Sequence, residues 1–334
     1  MNLRHRAFSL AFRAIALSGA DRWAAPLGRG RGVILTLHRV GPARAESFAP
    51  NAILEVTPEF LDMALHHMRA TGVDLVSMDE AVDRIAAPTP GRFFAALTFD
   101  DGYRDTLDVA LPILRKHDAP ATVYAVPGFA ARTAPLWWVD LETAVRKRDV
   151  VETEIDGERL SLPARTPEEK AEAFEAVYWR LRDGSETRLR HVVASLAVAA
   201  GHDSRATVDA LCLDWEGLAE LAADPHITIG AHTMSHPRLA KLDEAEARSE
   251  IAESIDHLEG RLGRPIRHFS YPVGDPTSAG PREFALARHL GVASAVTTRP
   301  GHVFAPHAAH LHALPRVSLN GLHQNLPALR ALLS

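Results

Sequence analysis

Short apolar runs that close on polar residues recur along this chain, with amphipathic segments between them. Gly32–Leu37 leads to His38, and Phe93–Leu97 leads into Thr98–Gly102. Ala121–Val126 follows, and Ile227–Ala231 leads to His232. His268–Tyr271 and Ala293–Thr297 complete the series. A short apolar run bounded by turn signals reads as a strand buried on both faces, as in parallel sheets. The segments between read as helices. Thr57 caps one, with Pro58 at its first position and Phe60, Leu61, Ala64, Leu65 and Met68 along one face. Others span about 107–116, begin at Asp243 with Ile251, Ile255, Leu258 and Leu262 on one side, and cover 284–290. Repeated strand–helix units imply a parallel sheet with right-handed crossovers. The pattern itself fits a closed α/β barrel and an open doubly wound sheet equally.

In parallel sheets, active sites gather at the carboxyl ends of strands. There the chain places Thr98-Phe99-Asp100-Asp101-Gly102. Two adjacent carboxylates project in different directions, so one can hold a metal while the other moves a proton. The second cluster is His232-Thr233-Met234-Ser235-His236-Pro237. Two imidazoles four residues apart reach one ion if the segment between them turns helically. Asp101, His232 and His236 would then make a two-histidine, one-carboxylate set with open positions, suited to Zn²⁺ or another divalent transition metal. Any one of these residues alone reads more readily as a hydrogen-bonded strand end. Two clusters at two predicted strand ends point to a site.

These residues resemble the polysaccharide deacetylase family, also called the NodB-homology family or carbohydrate esterase family 4. Its first motif, Thr-Phe-Asp-Asp-Gly, is matched by Thr98–Gly102, and its second, His-Ser/Thr-x-x-His, by His232, Thr233 and His236. A third stretch, Phe269-Ser270-Tyr271-Pro272-Val273-Gly274, is similar to relatives acting on poly-N-acetylglucosamine. The resemblance covers about residues 31–320 and implies a distorted (β/α)7 barrel with a helical insertion. The activity it implies is metal-dependent hydrolysis of N-acetyl groups from an N-acetylated glycan or glycolipid, with release of acetate. Asp101, His232 and His236 would hold the ion, Zn first, with Co, Ni, Mn or Fe as alternatives. Asp100 would be the general base and the Tyr271 backbone N–H an oxyanion donor. Pro272 and Arg316 are candidates for substrate contact; Trp137 and Trp138 are candidates for a sugar platform, although large aromatics more often belong to the core. The family's usual acid motif, Leu-x-His near the C-terminus, is not matched by Leu311-His312-Ala313-Leu314. In poly-N-acetylglucosamine deacetylases the acid comes from an N-terminal strand end, which Leu37-His38-Arg39-Val40 resembles, so His38 is the expected general acid. Arg264, Arg267 and Arg316 are the candidates for the arginine that orients the catalytic aspartate. The remaining histidines, His302, His307, His310 and His323, are expected to be solvated. The alternative functions are an O-acetyl esterase on a polysaccharide, or a non-catalytic glycan-binding protein of a polysaccharide assembly.

Composition narrows the partners. A net charge of −5 over 334 residues gives no electrostatic footprint for nucleic acid. The lone cysteine, Cys212, excludes an internal disulfide framework and reads as a small buried apolar residue. No run of 18 apolar residues offers a membrane-spanning helix. Residues 1–31 carry six arginines with a single acid, Asp21, among Leu3, Phe8, Leu10, Phe12, Ile15 and Leu17. Arg13 interrupts the apolar core a signal peptide needs, so this segment reads as a basic amphipathic helix on anionic lipid or as a helix packed on the barrel. The expected localisation is cytoplasmic, peripheral at the inner membrane if the lipid reading holds. Residues 32–334 then form the barrel, with an insertion at about 133–213 opened by Trp137-Trp138 and rich in helix formers from Pro167 to Ala200.

Overall fold

The computed structural model of the chain describes residues 29–334; the basic N-terminal segment lies almost wholly outside them. The described residues form twelve strands, β1 (Gly32–Leu37), β2 (Arg39–Val40), β3 (Glu55–Val56), β4 (Asp74–Val76), β5 (Phe94–Asp101), β6 (Ala121–Ala125), β7 (Val150–Ile155), β8 (Glu158–Pro163), β9 (Ile227–Ala231), β10 (His268–Ser270), β11 (Ser294–Val296) and β12 (Val317–Ser318). Eight of them make one parallel sheet in the order β11-β10-β9-β6-β5-β1-β12, with β4 beside the first half of β5. The register runs from Gly32 opposite Phe94 to Leu37 opposite Phe99, and from Leu97 opposite Ala121 to Asp101 opposite Ala125. A parallel bridge from Val296 to Leu314 joins the far edge to the segment entering β12. The sheet thus curls into a distorted (β/α)7 barrel ringed by helices.

Barrel closure explains the unbroken apolar runs. Every residue of β1 and β5 is buried, because one face meets the barrel interior and the other the helical ring. The first ring helix, Pro58–Ala70, starts where Thr57 Oγ1 accepts the Phe60 N–H at 3.2 Å, and it buries Phe60, Leu61, Ala64, Leu65 and Met68 in the main core. Asp243 and Glu246 form a reciprocal capping box on the Glu244–Leu262 helix. In β9 a side chain at Gly230 would bring its Cβ to 2.5 Å from the Tyr124 ring and 2.8 Å from the His268 carbonyl. Only glycine lets β6, β9 and β10 lie this close.

Between β6 and β9 the alternation stops. Helices Trp137–Arg146, Pro167–Asp183, Glu186–Ala199 and Ser204–Leu211 share a second core built on residues such as Trp138, Leu141, Phe174, Val177, Leu189 and Val193. The sequence reading expected a helical insertion; the segment also carries the antiparallel hairpin β7–β8. Its turn is Asp156-Gly157, both with positive φ (54° and 79°), the Asp-Gly pair of a tight hairpin. Cys212 is buried in this second core as a free thiol. Among the described residues no helix is long and apolar enough to cross a membrane.

Candidate active site

The carboxyl end of β5 sets the site. Asp101 and Gly102 both take left-handed backbone angles (φ 73° and 68°), which turns the chain sharply and sends the Asp100 and Asp101 side chains apart. The end of β9 is also strained: Thr233 and His236 have φ of 64° and 61°. The segment between the two histidines is therefore a bend with Thr233 in the left-handed region and not the expected helical turn. It is fixed by the His236 N–H donating to Thr233 Oγ1 at 3.0 Å. Such residues cost on the order of 1–3 kcal/mol each and collect where geometry serves function. The bend brings His236 Nε2 to 3.3 Å and His232 Nε2 to 3.5 Å from Asp101 Oδ1, with the ligand atoms of all three residues within 4.8 Å of one another.

This trio fits a divalent cation. His232 Nδ1–H donates to the Ser270 carbonyl at 2.7 Å, which fixes the tautomer and leaves the Nε2 lone pair facing Asp101. Burial lowers the pKa of both imidazoles, and His232 lowers that of His236 further, so both present lone pairs. Asp101 Oδ1 is buried with no hydrogen-bond partner. Burial, and next the charge of Asp100, raise the Asp101 pKa well above the usual carboxylate range. A buried carboxylate oxygen facing two unprotonated imidazoles lacks only a cation. The donor set is shared by several divalent transition ions and does not select one. His236 Nδ1 also has no partner; its ring is held instead against Trp138 at 4.7 Å and Phe129 at 6.0 Å between centroids.

Asp100 is held differently. Arg316, on the segment entering β12, grips it as a fork, Nη1 to Oδ1 at 2.8 Å and Nη2 to Oδ2 at 2.7 Å. The remaining guanidinium donors go to Thr98 Oγ1, Ser270 Oγ and the Thr297 carbonyl. Burial alone would raise the Asp100 pKa, but Arg316, with His232, holds it well below the usual carboxylate range. Arg316 was a candidate both for substrate contact and for orienting the aspartate; at 1% exposure with every donor engaged it orients Asp100 and does not face substrate. The other two arginine candidates lie elsewhere, Arg264 on the Ala222 carbonyl and Arg267 beside Asp79.

His38 follows β1, with Nε2 at 4.0 Å from Asp100 Oδ2. Burial lowers its pKa to about 4, against the opposing pull of Asp100. His312 is turned away, bonded to the Val292 carbonyl at 2.9 Å. Tyr271 departs from expectation: its N–H extends the ladder to the Val296 carbonyl at 3.2 Å and is not a free oxyanion donor, while its hydroxyl donates to the His312 carbonyl. Pro272 is buried outside the cavity, and its neighbour Val273 lines it. Of the histidines expected to be solvated, His323 is buried and His302 bonds the Leu332 carbonyl at 3.0 Å.

A cavity of about 580 Å³ opens over Asp100, Asp101, His38, His232 and His236. Trp137 and Trp138 line it, yet each is only 6% exposed and belongs to the second core; Trp138 Nε1–H donates to the Tyr103 hydroxyl at 3.1 Å. The exposed ring at its wall is Trp179, 60% accessible, which the sequence reading did not single out. Nor did it single out Ser270, which serves His232 through its carbonyl and Asp100 and Arg316 through its hydroxyl. The signal for Ser270 was its place at the end of β10, beside β9.

Comparison with known proteins places this geometry. Among solved structures, the Streptococcus pyogenes deacetylase PplD in complex with acetate is similar, with a TM-score of 0.58, 20% identity, and coverage of 86% of this chain and 92% of that one. IcaB from Ammonifex degensii gives 0.57 and 19%, covering 92% and 99%. The BpsB deacetylase domain from Bordetella bronchiseptica gives 0.51 and 18%, covering 86% and 94%. At these identities the likeness is one of fold. No curated protein matches the chain by sequence. The family model for polysaccharide deacetylase matches residues 87–293, from the approach to β5 through β10, and so takes in Asp100, Asp101, His232 and His236. The chain therefore belongs to the polysaccharide deacetylase family, hydrolases of acetylated glycans.

Proposed function

We propose that the chain hydrolyses N-acetyl groups on a glycan of N-acetylated amino sugars, with a divalent ion held by Asp101, His232 and His236. One observation carries this reading: the two adjacent carboxylates are separated in role by their partners. Asp101 faces two imidazoles, whereas Asp100 is clamped by Arg316. A divalent ion bound there would polarise the acyl carbonyl and acidify a water molecule. Asp100, fixed in orientation, takes the proton that the attacking water loses. Arg316 makes Asp100 a poor place for that proton to stay, and His38, 4.0 Å away and neutral at rest, is the better one. His38 then protonates the amide nitrogen as the C–N bond breaks. The water oxygen ends on the acyl carbon and its proton on the nitrogen, giving acetate and a free amino sugar. Two variants test the division of labour by acetate release from N-acetylchitooligosaccharides and by metal content. Asp101→Asn should lose bound ion and activity together. Asp100→Asn should keep the ion and lose on the order of 10²–10⁴-fold in kcat. If Asp100→Asn loses the ion and Asp101→Asn keeps it, the assignment is reversed.

A further inference from the structure

The Pro167–Asp183 helix contributes to one wall of the catalytic cavity, and two of its lining residues have no task in the chemistry above. Glu175 and Trp179 lie one helical turn apart, so they share a face. Trp179 is 60% exposed, the most exposed aromatic among the described residues with large exposed apolar side chains. Tyr178 packs edge-on against it at 5.1 Å and stacks on Trp137 at 5.8 Å, so the indole stands on a fixed aromatic base. Ile53, which also lines the cavity, is 37% exposed. Glu175 is exposed, with no hydrogen bond or ion pair among the described residues. Among the described residues no lysine or arginine lines the cavity. Asp100 is matched by Arg316, and Asp101 faces the two imidazoles. Among the described residues Glu175 is the one lining carboxylate with neither an arginine nor an imidazole facing it.

We propose that Glu175 and Trp179 form a subsite for a neighbouring sugar that has already lost its acyl group. This rests on the hydrolytic reading above and names its substrate as a partly deacetylated amino-sugar chain. The apolar face of a pyranose ring stacks on an exposed indole, and its ammonium pairs with the free carboxylate one turn away. An acyl tail in the same place would leave Glu175 against hydrocarbon, at a desolvation cost. A phosphate- or uronate-bearing group would meet a carboxylate and no cation. Only a sugar with a free amine uses both residues, and the enzyme makes such a sugar. Each turnover would then improve the next site along the chain.

Binding is tested first, because it does not depend on turnover. A tetramer of glucosamine, titrated calorimetrically into the full chain, should bind. Glu175→Gln should weaken it about two- to five-fold, as an exposed charge pair supplies, and the effect should fade with added salt. Trp179→Ala should weaken it on the order of ten-fold. Glu172→Gln, exposed on the same helix but outside the cavity, should change nothing. In turnover, a tetramer carrying one glucosamine should show a lower KM than the fully acetylated tetramer, and Glu175→Gln should erase that difference. Equal KM for the two tetramers, or equal binding by wild type and Glu175→Gln, would overturn the subsite. Failure of every acetylated substrate to release acetate, with tetramer binding still dependent on Glu175, would overturn the hydrolytic reading and support the subsite.

Discussion

Replacing Arg316 tests the site and the fold together. Its five donors serve Asp100, Thr98, Ser270 and the Thr297 carbonyl, and both members of the Asp100–Arg316 pair are within 3% of full burial by side chain. Arg316→Met removes the cation and leaves a carboxylate buried without a counter-charge. Breaking a buried pair in this way costs about 3–5 kcal/mol. That is a large part of the ~5–15 kcal/mol that holds a typical domain together. Removing both charges, Arg316→Met with Asp100→Asn, takes away the uncompensated charge and should recover most of the loss. The assay is chemical denaturation of wild type, both single variants and the double variant, under chelation so that metal binding does not contribute. A second readout is the acidity of Asp100. Without Arg316 its pKa should climb back, because burial is then opposed only by His232 and His38, so any residual activity should disappear at a higher pH than in wild type. Arg316→Lys keeps the charge but loses the fork and should fall between. If the Arg316→Met single variant unfolds where wild type does, or the double variant is less stable than the single, the pair does not have the role assigned to it.

Two further outcomes follow from His38. Because its pKa is lowered to about 4 and it must begin turnover neutral, kcat/KM should fall on the acid side with a midpoint near pH 4, and His38→Gln should keep the bound ion while losing the amide reaction more than that of an activated ester; loss of an alkaline limb instead would mean His38 enters turnover protonated. The same shift acts on stability: an imidazole whose folded pKa is depressed contributes fully above its unfolded value of 6.5 and progressively less as pH falls toward 4, so chelated wild type should lose up to about 3 kcal/mol relative to His38→Gln over that window. Denaturation midpoints at pH 7, 5.5 and 4.5 check the sign, and a constant difference between the two proteins would refute it.

The sequence by itself determined the parts of this protein that depend on near neighbours along the chain. An apolar run closing on Thr98–Gly102, the His232–His236 pair after a second run, and the capped amphipathic segments between them are patterns of a few residues. They specify parallel strands, ring helices and the Asp101, His232 and His236 trio. The Asp156-Gly157 turn was equally legible and marks the β7–β8 hairpin within a segment otherwise read as helical. The tertiary structure decided what depends on barrel closure. Arg316 meets Asp100 across 216 residues because β12 and β5 both flank β1, and nothing local separates it from Arg264 and Arg267, the other two candidates. Closure likewise sets His38 against Asp100, leads the Tyr271 N–H to Val296, and puts Ser270 between the two halves of the site. The tryptophans follow the same logic: Trp137 and Trp138 lie in the second core while Trp179 stands at the cavity wall, because the packing of the inserted helices, which local composition does not encode, decides which ring remains uncovered.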